Sequence, residues 1–214
     1  MSHRPPGLAR FLHRAGRLKS TPRTGWLDRD VPPVETESVA DHSYRLALLT
    51  WLAAASQPEL DRDKVLKLAL IHDLAEALTG DFPPYDPAEI PAEGDPDARH
   101  AFLSHRHIRS EATKSAKRAT EAAAMNELLA DLSPPLSEEL AALWREAAAQ
   151  TSPEARFVKQ ADALEAYLQS REYLAADPSR PVASFAAEVA EVITEPALVA
   201  VRDEIAKLGL GEME

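Results

Sequence analysis

The chain contains no cysteine. That excludes disulfides, thiolate metal sites and a cysteine nucleophile, so any metal must be held by imidazole and carboxylate groups. Glycine is scarce, with 7 in 214 residues, as expected where few tight hairpin turns are needed. Basic residues are outnumbered 24 to 35, for a net charge of −11. Such a chain lacks the basic face of a duplex binder, so no nucleic-acid partner is expected. No apolar run approaches the roughly 18 residues of a membrane span, so no membrane association is expected. The basic opening segment, residues 1–19, has no apolar h-region and does not read as a secretory signal. A cysteine-free chain is compatible with the cytoplasm, the expected location.

What is present is globular in balance: 45% hydrophobic and 28% charged residues. The length fits one compact domain, expected over 1–214. Alanine recurs beside leucine and glutamate, which favours helix. The 17 prolines cluster near the N-terminus, around 83–96 and at Pro134-Pro135, where they punctuate helices. Alternating β-patterns are absent, and the expected fold class is all-α.

The expected helices follow from spacing and caps. Residues 6–18 read as an amphipathic helix carrying Leu8, Phe11, Leu12 and Leu18, followed by a loop over 19–37. Ser38 with Asp41 resembles a capping box, so a helix begins there. A second helix runs from Asp61 or Asp63 to about Thr79, apolar nearly all round and therefore central, with Gly80 as its stop. Residues 81–100 read as loop and 101–131 as helix. Ser137 is a candidate cap for 138–150. Ser152-Pro153-Glu154 is a strong start for a helix to about Ala175. A last helix or a broken pair covers 183–208.

The sharpest chemical signal is Leu70-Ile71-His72-Asp73-Leu74-Ala75-Glu76. An ionised carboxylate in so apolar a helix costs several kcal/mol, roughly, unless partnered. A metal is one solution; a local polar network is the other. Asp41-His42 opens the preceding long helix, where a solvated helix start is the plain alternative. Asp162 lies in a second strongly apolar run, Phe157-Val158-Lys159-Gln160-Ala161-Asp162. Glu76 projects one turn beyond His72, and Asp81 follows close by. Together His42, His72, Asp73 and Asp162 form an H…HD…D pattern. Two imidazoles and two carboxylates suit a divalent transition-metal ion (Mn, Co, Ni, Fe or Zn) with positions left open.

With Pro22-Arg23-Thr24-Gly25-Trp26, Glu37-Ser38-Val39-Ala40-Asp41-His42 and Thr79-Gly80-Asp81, these blocks resemble the HD-domain superfamily of metal-dependent phosphohydrolases. Within it the likeness is to the 5′-deoxynucleotidases, over roughly residues 8–175. The resemblance implies a compact multi-helix fold and hydrolysis of (deoxy)ribonucleoside 5′-monophosphates to nucleoside and phosphate. It implies His42, His72, Asp73 and Asp162 as metal ligands, Asp73 also facing substrate, and Glu76 as the acid/base carboxylate. It also implies Arg23 as the phosphate-orienting arginine, Asp81 at the sugar, a small-molecule nucleotide as substrate, and a homodimer. Trp26 either packs on the nucleoside or belongs to the core. The stretch 86–110 departs from the pattern and reads as an insertion or lid. Its His100, His105 and His107 are a second metal site or, preferably, solvated. Other readings stay open: the same scaffold acting on a triphosphate, cyclic nucleotide or alarmone; a non-catalytic nucleotide- or metal-binding module; or a structural helical protein. The apolar residues of 183–208 serve either a dimer contact or the core.

Overall fold

The structure, a computed structural model, describes residues 7–208. Among these, no residue lies in a β-strand; an isolated antiparallel bridge joins Pro22 and Ser38. The helices are α1 (Gly7–Ala15), α2 (Thr24–Leu27), α3 (Val39–Ala53), α4 (Arg62–Ile71), α5 (Glu76–Thr79), α6 (Pro96–Ser104), α7 (Glu111–Leu129), α8 (Pro134–Ala149), α9 (Pro153–Ala176), α10 (Ala183–Val192) and α11 (Pro196–Lys207). The expected all-α class is what folds.

Local chemistry sets the boundaries. Ser38 accepts from Asp41 N while the Asp41 carboxylate accepts from Ser38 N, so the capping box forms with aspartate in the glutamate position. Asp61 accepts from Asp63 N and Lys64 N to start α4. Ser152 accepts from Ala155 N, with Pro153 in the first turn of α9. Gly80 ends α5 at φ 76°, a conformation that favours glycine.

Packing departs from pattern in five places. The helix expected over 61–79 breaks at its centre: α4 stops at Ile71 and α5 begins at Glu76. The helix expected over 101–131 is two, because residues 105–110 are non-helical and Ser110 caps a new start. α6 already begins at Pro96, inside the expected loop, with Asp95 as its cap. α8 starts at Pro134, earlier than Ser137, since proline is tolerated in a first turn. In α1 only Phe11 is buried; Leu8 and Leu12 face solvent, and Leu18 is buried from the 3₁₀ turn that follows. Residue 6, included in that expected helix, lies outside the described residues.

The central element is α9. Its Phe157, Ala161 and Leu164 are fully buried against Leu46 of α3, Leu68 of α4, Val189 of α10 and Leu198 of α11. The apolar residues of 183–208 therefore cover the core. A second cluster joins α1, α5, α7 and α8 through Phe11, Ala77, Leu128 and Trp144, with Leu74 added from the break before α5. The site lies where these two clusters meet.

Glu154, in the first turn of α9, ties that helix to the start of α4. It accepts from Asp61 N and from Lys64 Nζ, both at 3.2 Å. Burial opposes its ionisation, but those donors and the helix N-terminus outweigh it and lower its pKa. A lowered carboxylate pKa stabilises above the unfolded value, and that stability is lost as pH falls through the folded value. Urea unfolding of wild type and Glu154→Gln should therefore differ most near neutrality and converge as the pH falls below the ordinary glutamate range.

Candidate metal centre

Three separate segments bring the polar side chains together. His42 sits in the first turn of α3 and is fully buried. His72 and Asp73 occupy the break after α4, and Asp162 comes from the middle of α9. Between Ile71 and Leu78 the backbone tightens: Leu74, Glu76, Ala77 and Leu78 each donate to the carbonyl three residues back. In that winding, residues three apart eclipse, so Asp73 and Glu76 project from one face.

The two imidazoles are oriented alike. His72 Nδ1 donates to Ala69 O at 2.8 Å, and His42 Nδ1 donates to Glu165 Oε2. Carbonyl and carboxylate oxygens only accept, so each Nδ1 carries a proton, and Nε2 is the atom through which the neutral ring would ligate a cation. Both Nε2 atoms are buried and without a hydrogen-bond partner. His42 Nε2 lies 3.2 Å from Asp162 Oδ1 and 4.0 Å from Asp73 Oδ2; His72 Nε2 lies 3.0 Å from Asp73 Oδ2 and 4.0 Å from Asp162 Oδ1. Two orphaned lone pairs facing two carboxylates make a donor set that fits a divalent cation.

The electrostatics point the same way. Burial opposes the charge on Asp162 and on Asp73. Lys159 and the histidines nonetheless hold Asp162 well below the ordinary carboxylate range, and His72 and Arg23 do the same for Asp73. Burial also opposes a charged His42, yet Asp162 and Glu165 raise its pKa, because they offer negative charge where a cation belongs. Glu76 is raised to about 10 by burial and by the charges of Asp73 and Asp81. Its Oε2 is buried without a partner, and Lys117 Nζ stands 3.7 Å from its Oε1.

The other expected positions surround a cleft beside this centre. The chain from Thr21 to Arg23 is clasped to the start of α3, with Arg23 N donating to Glu37 O and Val39 N to Thr21 O. That clasp sets Arg23, whose Nη1 donates to Asp73 Oδ2 at 3.2 Å and lies 3.9 Å from Asp81 Oδ1. Thr24 N donates to Asp81 Oδ2 at 2.6 Å. Arg23, Asp73, Glu76, Asp81 and Asp162 all line the cleft.

Trp26 resolves toward the core. It is 2% exposed, its Nε1 donates to Glu37 Oε1 at 2.7 Å, and its ring stacks on Phe185 at 4.6 Å. It borders the cleft as part of the wall. The histidines of 86–110 do not gather. His105 pairs with Ala101 O, His107 stacks on Phe102 and pairs with its carbonyl, and His100 is exposed. Among the described residues, no group of three potential metal ligands includes them.

Sequence reasoning missed Glu165, which is fully buried and holds both His42 and Arg45 Nε, the latter at 2.7 Å. It lies three residues after Asp162, so helical spacing could have flagged it. Lys117 and Arg109 also line the cleft, but they come from α7 and the segment before it, and only the fold brings them there.

A model of the HD domain family matches residues 15–197.

The chain belongs to the HD domain family.

Among curated relatives, the chain is 39% identical to 5′-deoxynucleotidase HDDC2 of Mus musculus, over 78% of this chain and 70% of that protein. Identity is 37% to 5′-deoxynucleotidase HDDC2 of Homo sapiens, over 80% and 70%. It is 33% to 5′-deoxynucleotidase hdd1 of Schizosaccharomyces pombe, over 76% and 70%. A solved conserved hypothetical protein from Pyrococcus furiosus superposes with TM-score 0.64 at 28% identity, covering 94% of this chain and 99% of that one. A structure titled a predicted metal-dependent phosphohydrolase from Magnetospirillum magnetotacticum shares the fold at TM-score 0.62 and 23% identity, over 94% and 91%.

In this HD domain, fully buried Glu165 accepts from His42 Nδ1 and from partly buried Arg45, which also pairs with Glu172. Leaving the buried Nδ1–H of His42 without its acceptor costs about 1–3 kcal/mol. Glu165→Leu should lower the unfolding free energy of the metal-stripped protein by that order, and Glu165→Gln, which keeps an acceptor, by clearly less, in guanidinium titrations.

Proposed function

We propose that the chain is a metal-dependent 5′-deoxynucleotidase, hydrolysing deoxyribonucleoside 5′-monophosphates to nucleoside and inorganic phosphate. One observation carries it: two imidazole lone pairs, held by proton-bearing Nδ1 atoms, converge with Asp73 and Asp162 beside an arginine and two further carboxylates. The relatives named 5′-deoxynucleotidase support the substrate class.

In this reading His42, His72, Asp73 and Asp162 hold the ion, whose identity among Mn, Co, Ni, Fe and Zn follows geometry and availability. When bound, it supplies Lewis acidity toward a phosphoryl oxygen and lowers the pKa of water. Arg23 presents a planar guanidinium to the phosphate oxygens and offsets charge developing there. Glu76 exchanges a proton with the attacking water or the departing 5′-oxygen. Burial, and then the charges of Asp73 and Asp81, hold Glu76 toward its protonated form, in which it can donate to the departing 5′-oxygen. Asp81, with one oxygen occupied by Thr24 N, is placed to read the sugar.

The same proposal takes the chain as one HD-type domain, with 86–110 as an insertion over the cleft. Arg109 supports this by donating to Phe82 O at 2.7 Å and to Pro83 O at the rim. A cytoplasmic location and a homodimer complete the proposal. The exposed stripe Tyr44, Leu48, Trp51 and Leu52 on α3 is a face that a second copy would cover. A gel-filtration mass near twice that of the chain supports pairing, and loss of it on Trp51→Glu would assign the face.

Phosphate release from metal-stripped protein, with single divalent ions added back, tests the activity. The expected result is ion-dependent release from dAMP and weak release from AMP. Glu76→Ala should lower the dAMP rate by roughly 10²-fold or more. Release only from a triphosphate or a cyclic dinucleotide would replace the substrate. Bound metal with no release from any of them would leave a binding module. Independently, Glu165→Gln should weaken metal affinity by about 10–100-fold in chelator competition, because His42 loses the negative charge that makes its ring a stronger ligand.

A further inference from the structure

The side chains of the metal centre face two clefts. The first holds Arg23, Glu76 and Asp81. The second opens between α7, α8 and α9, with His72, Asp73 and Asp162 at its base, buried Trp144 in its wall, and exposed Arg118 and Ala148 farther out. Lys117 and Lys159 line both clefts and so stand at their boundary. Ion pairs hold that boundary: Lys117 Nζ is 2.8 Å from Glu121, and Lys159 Nζ is 2.8 Å from Asp162.

The lining of the second cleft carries Lys117, Arg118 and Lys159 against Asp73, Glu121 and Asp162. A divalent cation on Asp73 and Asp162 offsets those two carboxylates, which leaves three cations facing Glu121. The loaded cleft then attracts anions. Displacement at phosphorus also places the entering and leaving oxygens roughly in line, on opposite sides. A nucleoside in the first cleft fills the leaving side, so the phosphoryl group is exposed to solvent only from the other.

We propose that the second cleft is the exit for inorganic phosphate, which Lys117, Lys159 and Arg118 draw outward while the nucleoside still occupies the first cleft. The proposal rests on the phosphomonoesterase reading above.

Two variants of the metal-loaded full chain test it, both outside the residues assigned to chemistry. Ala148→Trp narrows the second cleft from an exposed position on α8. It should leave the first turnover of dAMP unchanged and lower the steady-state rate several-fold, because release becomes limiting. Arg118→Glu should weaken equilibrium binding of inorganic phosphate about tenfold by calorimetry, with deoxyadenosine binding unchanged. Unchanged turnover in Ala148→Trp together with unchanged phosphate affinity in Arg118→Glu overturns the exit. Loss of the first turnover in Ala148→Trp also overturns it, since the cleft then holds part of the substrate. Absence of phosphate release by the unaltered chain counts instead against the proposed function, and the calorimetric comparison is read apart from it.

Discussion

The structure turns on a group of carboxylates that burial alone would not permit. Asp73, Glu76, Asp81, Asp162 and Glu165 lie between the two hydrophobic clusters, where an uncompensated ionised group costs several kcal/mol, roughly. Arg23 from the N-terminal loop, Arg45 from α3 and Lys117 from α7 answer carboxylates on other elements, and Lys159 answers Asp162 from one turn away on α9 itself. The helices are thus joined by charge as well as by apolar contact. The clasp of residues 21–23 onto 37–39 belongs to the same network, because it places Arg23 between Asp73 and Asp81.

The compensation is incomplete at one point, and there the chemistry is concentrated. Both histidines spend their Nδ1 protons on fixed acceptors, and both Nε2 atoms are buried without a hydrogen-bond partner. A protein that only needed to satisfy buried polar groups would pair these atoms internally. Instead they meet Asp73 and Asp162. The backbone contributes too: the break between α4 and α5 replaces i→i+4 winding with i→i+3 bonds and lines up Asp73 with Glu76. Regular helix through His72 would place those carboxylates at different angles.

The arginines and lysines act at two levels. Arg29 is almost fully buried and donates to Gly25, Leu103 and Pro181 carbonyls and to Ser184. It joins the wall of the first cleft to the 86–110 segment and to α10 without facing the reaction centre's carboxylates. Lys117 and Lys159, by contrast, keep their charge at the boundary of the two clefts. One kind of cation shapes the pocket; the other sets its potential.

The sequence by itself determined the helical class, most helix starts and the four converging positions. Each of these is local: a cap bonds within three residues, apolar spacing repeats with the helix turn, and a His-Asp pair in an apolar run is conspicuous wherever it folds. Family likeness added Arg23, Glu76 and Asp81, which the cleft brings together. Only the tertiary structure decided the rest. It showed that Trp26 is wall, that α4 breaks at His72, that Glu165 orients His42, and that Lys117 approaches from forty-odd residues away to stand beside Glu76. The physical reason is shared. A cap or a stripe is specified by neighbours along the chain. The partner of a buried charge is specified by whatever side chain packing delivers across helices.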